Sequence, residues 1–536
     1  MSKSYQANTS RRTEFHGNRF TSANRQHAAL VQEALRLLTS RSRAFRKIIT
    51  DAGGKPRPPR GNEVGMREWL TALGHDRTKT PFDVIHVTGT KGKGGTCAWT
   101  DGLLRAHLKA RAAGPRAAPG AQQNQQLKVG LYTSPHIVSE RERIRIDFAP
   151  VSEDTFTRHF FEVWDALLRH VGGGVDDMPG YLQLLALLSA QIFRKEGVAV
   201  AIYEVHAGGR FDATSLWDRP VACGFNTIGL DHVGLLGNNV SEIAWNKAGI
   251  MRRGTTAISV PQVPEAREQL VAEAKLLDCP LIFVDGADEQ AIPPEAGQIR
   301  SELLLPGPRY NLALATRLAN TYLEARLGTK LSKEDIMQAV HDYQWPGRFQ
   351  VVQAPGQQTR WYLDLAHNDL SLPVALNWFF TEASKFDKAH PLRSSQDAAA
   401  SEGNSPSQSV PRTKVLIFGH QSHFRETAPM AEAVVSHCKA QGLVFDRVIL
   451  ASHSHRVSGK QVFGYDSALQ IMDIWKGMAG SPEVTWSASI AEAMDMANQI
   501  GLQAPVEGVG SHSLIVGSSH LISSAISTMS SPRPLG

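Results

Sequence analysis

The segment Val84-Ile85-His86-Val87-Thr88-Gly89-Thr90-Lys91-Gly92-Lys93-Gly94-Gly95-Thr96 constrains this chain more than any other. An apolar, β-branched run from Phe82 to Val87 stops at a loop in which Gly89, Gly92, Gly94 and Gly95 surround Lys91 and Lys93. Beyond it, Trp99, Leu103, Leu104 and Leu108 recur at helical spacing. Strand, glycine loop, lysine and helix together cradle a phosphate. Glycines let backbone N–H groups converge on the anion, the helix N-terminus adds its positive end, and lysine supplies a full charge. The loop is not a strict Walker A sequence, because only Thr90 and Lys91 separate Gly89 from Gly92-Lys93, fewer than in Gly-x-x-x-x-Gly-Lys. Without its flanks it would be an ordinary glycine-rich turn. With them it predicts a phosphate-binding α/β unit.

Such a unit needs more elements of the same kind, and the 536 residues provide for two or three domains. Expected strands are Lys128–Ser134, Val198–Val205, Ala257–Val260 and Leu281–Val284, with an apolar helix at Tyr181–Lys195. A second series follows Pro306-Gly307-Pro308, with a helix at Asn311–Leu327 and strands at Trp361–Leu365, Thr413–Gly419, Arg447–Ala451 and Ser513–Gly517. The prediction is two α/β domains with largely parallel sheets, at 1–306 and 307–536. Segments 109–127 and 393–411, of low complexity, read as disordered surface insertions, and 1–25 reads as a disordered tail. The arginines of that tail, Arg11, Arg12, Arg19 and Arg25, faintly suggest a mitochondrial presequence, but no apolar helical face accompanies them.

At 42% hydrophobic and 20% charged residues, the composition is that of a soluble globular protein. No apolar run nears the roughly 18–20 residues that a membrane span needs. A net charge of +6 suits an anionic substrate, but it is dispersed and gives no case for nucleic acid. Cys97, Cys223, Cys279 and Cys438 form no CxxC pair, which predicts buried thiols in a reduced compartment. The cytoplasm is expected, with a mitochondrial form as the alternative.

Ligands of an α/β sheet sit at the carboxyl ends of strands. There the sequence places Thr133-Ser134-Pro135-His136, then Glu204 followed by His206-Ala207-Gly208-Gly209-Arg210, and Asp231-His232 after Phe225–Leu230. A hydroxyl, a carboxylate and an imidazole, Ser134, Glu204 and His232, could converge beside the loop and hold Mg²⁺. Gly94 directly after Lys93 removes the hydroxyl that usually touches the metal, and Ser134 could replace it. The alternative is that each merely caps a helix or satisfies a turn. Arg141, Arg143 and Arg145 alternate at strand period and suit either an acidic substrate or a solvated edge. His420/His423 and His453/His455 read as loop histidines.

Taken in order, HVTGTKGKGGTCA (86–98), TSPHIVSERERIRI (133–146), GLDHVGLLGNNVSEIAWNKAGI (229–250), WPGRFQ (345–350), YLDLAHN (362–368) and VGSSHL (516–521) resemble folylpolyglutamate synthase of the eukaryotic type, in the Mur-ligase group. The resemblance implies a P-loop ATPase domain followed by a smaller Rossmann-like one. It implies that Gly92, Lys93, Gly94 and Gly95 wrap the phosphates of ATP, and that Ser134, Glu204 and His232 hold Mg²⁺, with a monovalent cation such as K⁺ as a further cofactor. Lys247 matches a lysine that is carbamylated in related ligases. Asn311, Arg348, Asp364 and His367 match nucleotide contacts, and His367 is a candidate acceptor for the amine proton. The implied reaction activates a folate carboxylate as an acyl phosphate and transfers it to the amino group of glutamate, in a protein expected to be a monomer. Departures fall at Gly95, where the family has serine, at His206-Ala207, Ser215 and Leu365, at Leu182–Ala186, and before Asn311, where a His-Gln pair is missing. They leave two alternatives open: a paralogue joining an amino acid to a non-folate carboxylic acid, and a non-catalytic nucleotide-binding protein.

Overall fold

The computed structural model describes residues 22–42, 49–50, 56–57, 62–76, 79–113, 127–353, 358–392, 411–419, 427–454, 461–463, 465–478, 480–503 and 509–530. Residues 1–21 of the expected tail, 114–126 and 393–410 of the two insertions, and His420, His423 and His455 lie outside them. The last tail residues instead open a helix, Ser22–Ser40, whose Ala34 and Leu38 are fully buried.

The chain builds two sheets of mostly parallel strands. In the first, β1 is Asp83–Thr88, β2 Lys128–Tyr132, β3 Ile144–Ile146, β4 Ala149–Pro150, β5 Val198–Glu204, β6 Ala222–Phe225, β7 Thr256–Ser259 and β8 Leu281–Phe283. Their order is β8-β7-β6-β1-β5-β2-β3-β4, parallel from β8 through β2 and antiparallel at the last two. In the second, β9 is Gln350–Val352, β10 Thr359–Leu363, β11 Thr413–Phe418, β12 Arg447–Ala451, β13 Glu483–Ser487 and β14 Ser511–Val516. The order is β9-β10-β14-β11-β12-β13, with only the edge strand β9 antiparallel.

Helices cover both faces of the first sheet, so its central strands are apolar on both sides. On one face lie α1, Lys93–Ala113, together with α4, Pro306–Leu327, and α5, Lys333–Asp342. On the other lie α2, Tyr181–Lys195, and the helices Glu153–His170 and Ser22–Ser40. β5 shows the consequence of strand alternation: Val200 and Ile202 enter the first core, Ala201 and Tyr203 the second. Trp99, Leu103, Leu104 and Leu108 of α1 all pack against the sheet. A further helix, α3, Val240–Ala248, buries Ile243 and Ala244 beside β6 and β7.

Pro306 and Pro308 do not separate two units. They stand in the first turn of α4, where the N–H that proline lacks has no helical partner anyway. Leu312, Leu318 and Leu323 of α4 and Val340 of α5 belong to the same core as α1. Tyr343 joins that core as well, Trp345 packs against it, and the chain then reaches the second sheet at Gln350. The arginine alternation is also interrupted. Glu140–Arg143 is a 3-10 turn capped by Ser139, and only Ile144–Ile146 is strand. Arg143 and Arg145 are buried, donating to His136 Nδ1 and to the carbonyls of Glu142 and Phe148.

Register brings the functional ends together. Val87 pairs with Glu204, Thr88 with Phe225, and Tyr132 with Tyr203. Four adjacent strands therefore finish nearly flush, and the residues just past them share one crevice.

Candidate active site

The phosphate loop leaves β1 at Thr88 and enters α1 at Lys93. Gly89 and Gly92 adopt positive φ, +145° and +89°. A side chain at 89 would meet Asn226 Cβ at 2.6 Å, and one at 92 would run into the Asn311 amide. Both positions thus need glycine for conformation and for space. The loop is fixed from below: Thr90 N–H donates to the Thr227 carbonyl at 2.8 Å, and the Thr88 hydroxyl donates to Gly208 O at 2.7 Å. Lys93 folds back, Nζ donating to Gly89 O at 3.0 Å.

Glu204, the last residue of β5, is 4% exposed and lies over the first turn of α1, its Oε2 3.4 Å from where a Cβ on Gly94 would stand. Ser134 N–H donates to the same oxygen at 2.9 Å. Burial raises the Glu204 pKa, against Lys93, the Ser134 N–H, Arg348 and His206, and the net shift is upward. No ion-pair partner reaches its carboxylate among the described residues, and a buried carboxylate at this place is an oxygen donor. That donor chemistry suits Mg²⁺. No group of three or more His, Cys, Asp or Glu side chains converges as a metal cage among the described residues. Ser134 and Glu204 are brought together. His232, at φ 48°, makes no hydrogen bond or ion pair to either, and its ring lies near enough to Lys93, Lys247 and Lys91 for their charges to act on it. Dehydration of the ring, and the charges of Lys93, Lys247 and Lys91 against Asp231, lower its pKa.

Lys247 is not an exposed helix lysine. It is 1% exposed, and its Nζ donates to Gly89 O and Ala207 O, each at 2.8 Å. Burial first, then the neighbouring charge of Lys93, push its pKa far below the usual lysine value, beyond what Asp231 and Asp212 restore. The amine braces the loop against the 206–209 segment. In that segment, His206 bonds the Tyr132 hydroxyl through Nε2 at 2.8 Å and faces Asp212 Oδ1 at 3.2 Å.

From the other side come the crossing residues. Arg348 lies close enough for its charge to lower the pKa of Glu204, Asp364 and Tyr343, and no hydrogen bond holds its guanidinium among the described residues. Asp364 serves this segment as a buried brace, accepting from Phe349 N at 2.9 Å and Ala366 N at 2.8 Å. Leu365, at the family's glycine, packs into the core of the second sheet, and its N–H donates to Gly347 O at 2.8 Å. His367 donates from Nδ1 to the Leu365 carbonyl at 2.6 Å.

One participant escaped the sequence reading. Asn226 donates through Nδ2 to Thr96 Oγ1 and to Asn311 Oδ1, both at 2.8 Å, and so aims the other end of the Asn311 amide at the loop. Taking Phe225–Leu230 as a strand put its end at Asp231-His232. The strand ends at Phe225, which makes Asn226 the polar residue at the strand end.

No family model matches the chain. Among curated proteins it is similar to the folylpolyglutamate synthase of Neurospora crassa, 32% identical over 528 residues, 93% of this chain and 91% of that protein. The Candida albicans folylpolyglutamate synthase is 35% identical over 61% of this chain and 64% of its own length. The human protein named folylpolyglutamate synthase, mitochondrial, is 34% identical over 56% of this chain and 51% of its own. Among solved structures, Mycobacterium tuberculosis folylpolyglutamate synthase complexed with ADP and AMPPCP superposes with a TM-score of 0.66 at 19% identity, covering 94% of this chain and 99% of that one. Escherichia coli FolC in complex with DHPP and ADP gives 0.62 at 21% identity, over 94% and 98%. At such identities the structural likeness is one of fold.

Proposed function

Because this chain belongs to the folylpolyglutamate synthase family, we infer that it is an ATP-dependent ligase joining the amino group of glutamate to a folate or folylpolyglutamate γ-carboxyl. The observation that carries the reading is the glycine loop at the head of α1, faced by the buried Glu204 from its own sheet and by Arg348 from the crossing segment. Family membership favours this reaction over the two alternatives that the departures leave open.

The residues divide the work as follows. Gly92, Lys93, Gly94 and Gly95 receive the triphosphate, with backbone N–H groups and the Lys93 ammonium opposing its charge. Ser134, Glu204 and His232 would hold Mg²⁺, which shields the phosphate oxygens when bound. The substrate carboxylate attacks the γ-phosphorus and ADP departs, giving an acyl phosphate. Arg348 closes from the crossing segment and offsets the charge that builds on the transferring oxygens. The glutamate amine then attacks the acyl carbon. The C–N bond forms, phosphate leaves, and the amine proton passes to His367 Nε2. Lys247, whose pKa burial lowers, is suited to take up CO₂ as a carbamate, which would place an anion there. Asn311 and Asp364 complete the nucleotide side, the first by contact and the second by holding the Arg348 segment.

The proposed boundary between the lobes is the 343–349 crossing, in place of residue 307. The proposed compartment is the cytoplasm. The bovine and human relatives bear a mitochondrial designation, so a mitochondrial form is the alternative. No described helix is long and apolar enough to cross a membrane. The protein is proposed to act as a monomer.

The test is a phosphate-release assay on purified protein, with Lys93→Ala as the blank. Release should require ATP, glutamate and a reduced folate together. Release with a non-folate acid and none with any reduced folate would refute the reading.

A further inference from the structure

We propose that the Tyr343 hydroxyl binds the polyphosphate of ATP, taking the place of the serine hydroxyl that Gly95 has removed from the phosphate loop. This rests on the ATP reading above and adds a residue to it.

Three observations meet here. First, Gly95 leaves space rather than needing it. Its φ is not in the left-handed region, and a Cβ built there would lie 3.7 Å from Asn311 Nδ2 and 3.9 Å from the Tyr343 hydroxyl, ordinary contact distances. The phenolic oxygen therefore stands against the very edge of α1 from which a loop hydroxyl is missing. Second, the neighbouring hydroxyl cannot serve instead. Thr96 is fully buried, its Oγ1 accepting from Asn226 Nδ2 at 2.8 Å and donating to Asn311 O at 3.3 Å. Third, Tyr343 is held in place with its donor unspent. The ring stacks on Trp99 of α1, with centroids 3.6 Å apart and planes at 11°, and the Arg300 guanidinium lies 4.9 Å from its centroid. Arg300 also donates to the Tyr343 carbonyl at 2.9 Å and pairs with Glu302 at 2.6 Å. Ring and backbone are thus fixed by Trp99 and Arg300, while no hydrogen bond is made by the hydroxyl among the described residues.

The chemistry is that of an anion site. Burial raises the phenol pKa, and the nearby Arg300 and Arg348 charges do not cancel the rise, so the hydroxyl stays a donor throughout the neutral range. A phenol O–H aimed at a phosphate oxygen makes a charge-assisted bond of the stronger class. Tyr343 also opens the crossing that carries Arg348, so the same short segment would deliver a neutral donor and a cation to one anion.

The experiment compares the parent, Tyr343→Phe, Gly95→Ser and the double variant in steady-state phosphate release with ATP as the varied substrate, alongside AMPPCP titration by calorimetry. Tyr343→Phe keeps the stacked ring, and its melting temperature should match the parent. Its kcat/KM for ATP should fall about tenfold, with KM for glutamate unchanged. Adding Gly95→Ser should restore most of that loss. A Tyr343→Phe enzyme equal to the parent toward ATP and AMPPCP, or one that the serine fails to rescue, overturns the proposal while leaving the ligase reading intact. A parent no better than Lys93→Ala in both assays would overturn both.

Discussion

Single residues in this site carry opposed duties, and Glu204 is the plainest case. Burial lifts its pKa above that of the unfolded chain, so the folded state binds that proton more tightly than the unfolded chain does. The sign follows: ionisation costs stability at every pH above the folded pKa, and that cost vanishes as pH falls below the unfolded value. Glu204→Gln should therefore raise the melting temperature of the ligand-free protein at neutral pH while lowering turnover by about 100-fold or more. Calorimetry and phosphate release on the same preparation check both halves. Gly92 gives the complementary test. Its φ of +89° and the adjacent Asn311 amide leave no room for a methyl group. Gly92→Ala should abolish nucleotide binding measured by titration, and circular dichroism should show an unchanged secondary structure, because no core side chain is touched.

At the scale of elements, much was legible because periodicity is strong where burial is complete. The helix Tyr181–Lys195 and the strand Arg447–Ala451 appear with the ends that the apolar pattern marks. Apolar runs do not say where a strand stops, and that is why Asn226 was missed and His232 was placed at a strand end it does not occupy. Prolines mislead in the same way. Pro306-Gly307-Pro308 reads as a break, yet a helix tolerates proline in its first turn, and only the packing of Leu312 and Leu318 against α1 shows which sheet α4 serves. Lys93, Ser134 and Glu204 stand where the sequence puts them, at the head of the loop helix and beside the ends of neighbouring strands. The burial of Lys247 was not legible, since it depends on contacts with Gly89 and Ala207 far away in the chain. The elements also carry a pH signature. His86 in β1 and His75 just after the Met66–Ala72 helix are buried, and burial lowers their pKa values to about 3 and about 4. Both folded values lie below the unfolded imidazole, so the unfolded chain takes up the protons. Stability should fall as pH drops from about 6.5 toward 4, by up to about 1.4 kcal/mol per pH unit for each histidine. Urea unfolding midpoints measured across that range test it.

For the molecule as a whole, the two sheets meet chemically through a few crossing residues. The first sheet contributes the loop, Ser134 and Glu204, while Arg348 arrives on the crossing segment and His367 from just beyond β10. Nucleotide should then stabilise the protein as one cooperative unit, by about 2.7 kcal/mol at a concentration 100 times Kd. Arg348→Ala should reduce that stabilisation and cut kcat/KM for ATP, with the fold of each sheet preserved. Melting curves with and without AMPPCP, followed by tryptophan fluorescence, provide the check.

The stretch from Tyr343 to Phe349 is tied down at both ends, by Trp99 and Arg300 on one side and by Asp364 on the other. So short and doubly anchored a tether makes lobe motion behave like a stiff hinge and not like a loose leash. Lengthening it by a few glycines would slow how often the reaction is attempted, in a protein whose every substrate-touching group is untouched.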